Sequence, residues 1–154
     1  MKRLKNSLII EQLDSKLKEF KKVGLNEAPT AGWIHATRTS IRMSMRQLGK
    51  RMGSSAQTVN HFERAEASGS ITIKSLRRAG SALGLKLVYG FVPKDQSIEA
   101  MIEKRALEVA REIVLRTSHS MKLENQENTP ERIDKAIKER ASELKRELPK
   151  HLWD

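Results

Sequence analysis

Apolar residues recur at helical spacing along most of the chain and change rhythm only once. In residues 6–22, Ile9, Leu13, Leu17 and Phe20 stand three or four apart with lysines between them, which predicts a short amphipathic helix. Gly24 and Pro29 mark the linker that follows. Residues 30–84 read as a run of short helices with tight turns. Residues 85–93 break the pattern. Leu87, Val88, Tyr89, Phe91 and Val92 favour extended backbone and Pro93 ends the segment, so a short β-strand is expected. A lone strand leaves its backbone groups unpaired. Either it pairs with the same strand of a second copy in an intersubunit sheet, or the segment is irregular and packs on the domain. Residues 97–117 return to helical rhythm, with Ile98, Met101, Ile102, Ala106, Val109, Ala110 and Ile113 on one face. Residues 122–129 (KLENQENT) are polar and read as a loop. A last helix is set up by Thr129 as cap and Pro130 at its first position. Its stripe of Ile133, Ile137, Ala141, Leu144 and Leu148 is narrow, suited to a single neighbour or to a partner.

Charge divides the chain in a way the apolar pattern does not. The 154 residues carry a net charge of +11, and all of it lies before residue 97. Residues 1–96 hold 18 basic and 7 acidic side chains, whereas residues 97–154 hold 12 of each. The first part is suited to a polyanion, either nucleic acid or an acidic membrane surface. No apolar run is long enough to span a bilayer, and Leu8 to Ile10 is too short for a signal peptide. With no cysteine there is neither a disulfide framework nor a thiolate metal site, and a reduced cytoplasmic setting is the expectation.

The local chemistry is most informative at residues 44–64. Ser44 and Gln47 have the spacing of a capping box, with Met43 and Leu48 as the hydrophobic staple, so a helix begins at Met45. Gly53 supplies the left-handed turn that ends it. A second helix, capped by Ser54 or Ser55, follows at once and runs through Arg64. Two helices joined by a turn of this length are a helix-turn-helix. Leu48, Met52, Val59 and Phe62 would share its core, and Gly49 is small where the helices cross. Ser55, Ala56, Gln57, Asn60, His61 and Arg64 fall on the outward face of the second helix. Side-chain amides such as those of Gln57 and Asn60 can meet adenine bidentately in a major groove. Arg46, Lys50, Arg51 and Arg64 are placed for phosphates. With Thr58, these residues form the expected DNA-binding set.

The stretches LGKRMGSSAQTVNHFERAEA and SITIKSLRRAGSALGL resemble the Xre, or lambda repressor-like, helix-turn-helix family over about residues 30–86. The resemblance makes residues 35–43 the helix before the motif and residues 73–83 the closing helix. Met45, Ser54 and Ala56 depart from the family pattern, where a polar, an apolar and a Gln residue are usual. A narrower resemblance, to the proteins called mobile mystery protein A, rests on the helix-turn-helix, the segment KLVYGFVP and the segment RTSHSMKLENQ. It implies a Fic-domain partner and a toxin–antitoxin pair. Ser120, Glu124 and Asn125 then fit the inhibitory pattern of Ser or Thr, three residues, Glu, and Gly or Asn. In that family the Glu occupies an arginine that otherwise holds the nucleotide γ-phosphate, a strong bidentate pairing. The same three residues also suit a solvated helix end and loop.

The remaining candidates are bland. His35, His61, His119 and His151 never stand three or four apart, so no metal site or cofactor is expected. His61 is equally suited to DNA contact and to simple exposure. Trp33 is expected to pack the first helix of the domain, and Trp153 is either frayed or a partner contact. Lys16, Lys18, Lys21, Lys22, Arg77 and Arg78 suit a solvated surface as well as a polyanion. No catalytic arrangement stands out, and no enzyme is expected. The expected fold is mainly α: an N-terminal amphipathic helix over residues 1–27, a lambda repressor-like helix-turn-helix domain over 28–96 ending in a short β-strand, and a helical extension over 97–154 for dimerisation or partner binding. The function expected is that of a homodimeric, sequence-specific repressor of double-stranded DNA, acting as an antitoxin that autoregulates its operon and inhibits a Fic-domain toxin. The alternatives are a protein-inhibitor module with incidental DNA binding and a non-specific nucleic-acid-binding protein. Few aromatic residues are free to stack on single-stranded bases, which disfavours the last for single strands.

Overall fold

The computed structural model describes residues 2–123 and 129–154, with side chains at 5–121 and 129–154. Seven α-helices are formed among them: α1 (Lys2–Lys18), α2 (Gly32–Ser40), α3 (Met45–Arg51), α4 (Ala56–Ala67), α5 (Ile73–Ala82), α6 (Ile98–Leu123) and α7 (Pro130–Glu147), with short 3₁₀ turns at Val23–Leu25 and Lys150–Trp153. No helix among the described residues is long and apolar enough to cross a membrane. The helices gather into two units, one of Gly24–Gly90 and one that joins Met1–Val23 to Phe91–Asp154.

The discontinuous unit is a helical hairpin of α6 and α7 with α1 against it. Its core consists of Ile102, Ala106, Val109, Ala110, Ala141, Leu144 and Leu152, with Ile10, Ile98, Ile113, Ile137 and Leu148 packed on it. Three alanines in this set let the helices approach closely. Thr129 caps α7 by accepting from the Arg132 amide, and Pro130 opens the helix. The first amides of α6 are satisfied from far away in sequence. Asp14 Oδ1 accepts from the Ile98 amide at 2.7 Å and Oδ2 from the Glu99 amide at 3.2 Å. A carboxylate there also complements the positive end of the helix. At the other end of the chain, Arg105 donates to the carbonyls of Leu152 (2.7 Å) and Asp154 (2.6 Å), holding the last 3₁₀ turn on α6.

The continuous unit, Gly24–Gly90, is built from α2 to α5. Ile34, Leu48, Met52, Val59 and Ala79 form its buried core, with Met43, Met45, Phe62, Ile71, Leu76, Ala82 and Leu83 around it. Leu48 and Val59 are fully buried, each contributing about 1.5–3 kcal/mol. Trp33 takes no such role. It is 56% exposed, because α2 starts at Gly32 and turns Ile34 rather than its neighbour into the core.

The expected β-strand is absent: among the described residues there is no strand at all. Residues 85–93 carry no regular secondary structure. None of the backbone amides of residues 86–92 donates to a carbonyl among the described residues. Leu85, Val88, Tyr89, Phe91 and Val92 are exposed. The residue types favour extended backbone, but that preference reflects packing on a pleated surface, and no second strand offers one here.

Candidate nucleic-acid interface

The helix-turn-helix is assembled by three local devices. The Ser44 hydroxyl accepts from the Gln47 amide at 3.1 Å, and Gln47 Oε1 accepts from the Ser44 amide at 2.8 Å, which is the expected capping box. Between the helices, Gly53 adopts a φ of +62°, the left-handed conformation that a Cβ disfavours. Ser55, not Ser54, caps α4, accepting from the Thr58 amide at 3.1 Å. The helices cross at Gly49, where an added Cβ would lie 2.8 Å from the carbonyl carbon and oxygen of Ser55. Only glycine lets α3 come this close to the start of α4. Arg78 reaches from α5 to donate to the Met52 carbonyl at 2.8 Å, satisfying the end of α3.

The two faces of α4 differ sharply. Gln57, Asn60, His61 and Arg64 stand at i, i+3, i+4 and i+7, all exposed, and form one stripe about 10 Å long. None of these four side chains has a hydrogen-bond or ion-pair partner among the described residues. Ala56 and Thr58 are half-buried, and the Thr58 hydroxyl lies 3.1 Å from that of Ser55, so these three residues shape the helix start more than they present free groups. Arg46 and Lys50, one turn apart on α3, are exposed and unpartnered among the described residues. Arg51 is exposed too, with Nη1 3.4 Å from the Ala82 carbonyl.

The inner face of α4 holds residues that sequence reasoning passed over. Glu63 is buried and accepts from Arg38 Nε at 2.6 Å and Nη2 at 3.1 Å, and it lies 2.9 Å from His35 Nδ1. Arg38 also donates to the Met43 carbonyl at 2.9 Å. Burial pushes the Glu63 carboxyl up, but the hydrogen bonds from Arg38 and His35 outweigh it and hold the group below its ordinary value. The hydrogen bond to Glu63 likewise raises Arg38. One turn on, Glu66 accepts from the Trp33 and Ile34 amides, both at 2.9 Å, and so caps α2. Gly32 is required beside it: its φ is +85°, and a Cβ would lie 2.7 Å from Glu66 Cδ. The one sign available in the sequence was that Glu63 and Glu66 sit among the buried positions of α4 rather than on its outward stripe.

This inward use of carboxylates shapes the charge of the unit. Residues 24–90 hold ten Arg and Lys against three Asp and Glu, and two of those three are Glu63 and Glu66. The exposed charge of the unit is therefore almost entirely cationic. Of the expected partner-inhibiting residues, Ser120 lies exposed near the end of α6, its hydroxyl donating to the Arg116 carbonyl at 3.2 Å. Glu124 and Asn125 lie outside the described residues. Comparison of the chain with family models, with curated proteins and with solved structures finds no match.

Proposed function

We propose that this protein binds double-stranded DNA in a sequence-specific manner, with α4 as the helix that enters the major groove. The observation that carries the reading is the stripe of Gln57, Asn60, His61 and Arg64, exposed and without partners among the described residues, on a helix whose other face is clamped by Glu63 and Glu66. A rigid helix with free amides and a guanidinium on one face meets the requirements for reading base edges. The cationic side chains Arg46, Lys50 and Arg51 supply the phosphate contacts that fix register. As a repressor the protein would act as a homodimer, with two half-sites about one helical turn apart. The pairing with a Fic-domain partner, through Ser120, Glu124 and Asn125, extends the same proposal and rests on the sequence pattern alone.

The test is a footprint on the DNA upstream of the protein's own gene at about 150 mM salt, where non-specific binding is weak. A short protected site with two-fold symmetry, lost in the Gln57→Ala, Asn60→Ala double variant, is the expected result. Uniform or absent protection would refute specific DNA reading.

A further inference from the structure

Away from the helix-turn-helix, the α6–α7 hairpin opens into a groove of about 510 Å³ whose walls come from those two helices alone. It runs from Ile113 to Met121 on one side and from Arg132 to Arg140 on the other, about two turns or roughly 12 Å. Its floor is apolar: Ile113, Val114, Ile133 and Ala136, all only half-buried. Its rim is cationic, with Arg132, Lys135 and Arg140 against the single carboxylate of Glu139. This local excess stands out because residues 97–154 carry no net charge.

From this geometry we infer that the groove is a docking site for an acidic amphipathic helix of a partner protein. Apolar side chains at i, i+3 or i+4, and i+7 of such a helix match a channel two turns long. Carboxylates on its flanks meet the cationic rim, which favours encounter and fixes orientation. The charge pattern weighs against a second copy as the occupant, since a two-fold arrangement would set one cationic rim against another. It also weighs against a small polar ligand. Such a site needs polar groups converging at its base, and here the Thr117 hydroxyl already donates to the Ile113 carbonyl at 3.0 Å. The inference stands apart from DNA reading, so either can fail without the other.

The test uses the full chain and two fluorescein-labelled peptides of about 16 residues, long enough to span the groove. Both carry leucines at helical spacing; one has Glu and the other Lys on its flanks. Fluorescence anisotropy is expected to show saturable binding of the Glu peptide and binding at least tenfold weaker for the Lys peptide. Methyl NMR shifts on adding the Glu peptide are expected at Ile113, Val114 and Ile133. Arg132→Glu with Arg140→Glu should weaken the Glu peptide at least tenfold. Ala136→Trp, which fills the channel without changing charge, should also block it, with circular dichroism confirming that both variants remain helical. Equal binding of the two peptides, no binding of either, or shifts confined to other residues would overturn the proposal. So would concentration-dependent shifts of the same methyls in the protein alone, which would mark the groove as a dimer contact.

Discussion

Replacing Glu63 by glutamine isolates the contribution of the ion pair behind the DNA-reading helix. Glu63 and Arg38 have side chains only 6% and 9% exposed, so neither charge is solvated once its partner is gone. Removing one member of a buried pair costs about 3–5 kcal/mol. The substituted amide would retain one acceptor oxygen for Arg38, so the expected loss is about 2–4 kcal/mol. A unit the size of Gly24–Gly90 holds only about 3–10 kcal/mol in all, so the variant should be partly unfolded at ambient temperature. Urea unfolding followed by Trp33 fluorescence, in a Trp153→Phe background that leaves one reporter in this unit, gives the midpoint. It should fall by about 2 M or more if the slope is about 1 kcal/mol/M. A second variant, Arg38→Met with Glu63→Leu, removes both charges and should recover most of the loss. A wild-type midpoint for Glu63→Gln, or a double variant less stable than the single one, would refute the argument.

Acid should destabilise the same unit. Because the Glu63 carboxyl is held below its ordinary value, its contribution is complete above the unfolded pKa of about 4.3 and is lost as pH falls through the lower folded value. The Glu63→Gln variant should therefore show a flatter dependence of urea midpoint on pH below about 4.3. Gly49→Ala forces a Cβ into the Ser55 backbone at 2.8 Å; overpacking of about 1–3 kcal/mol exceeds the gain in helix propensity of about 1 kcal/mol, so the Trp33 transition should move to lower urea. Asp14→Ala removes the acceptor for the Ile98 and Glu99 amides and should cost the α1–α6–α7 unit about 1 kcal/mol, read by Trp153 fluorescence in a Trp33→Phe background.

What the sequence made legible was local. The capping box at Ser44 and Gln47, the left-handed Gly53, the close crossing at Gly49 and the Thr129–Pro130 start of α7 are each set by a few adjacent residues, and each appears in the structure. The outward stripe of α4 follows from the same 3.6-residue period. Contacts between distant positions were not legible. Nothing near Asp14 announces that it caps a helix beginning at Ile98, and nothing near Arg38 announces Glu63. The strand error has the same root. Residue type describes a preference of single positions, whereas a strand exists only through a partner that no single position specifies.

The hydrogen bonds from Ile98 and Glu99 to Asp14 span more than eighty residues of chain, and between them lies the whole of Gly24–Gly90. That arrangement imposes an order on biosynthesis. Helix α1 leaves the ribosome first but must wait for α6 before its carboxylate finds a partner. The helix-turn-helix unit is contiguous, and its contacts close over short loops, so it can fold while α6 is still being translated. The nascent chain thus acquires its DNA-reading surface before its first helix has anywhere to dock.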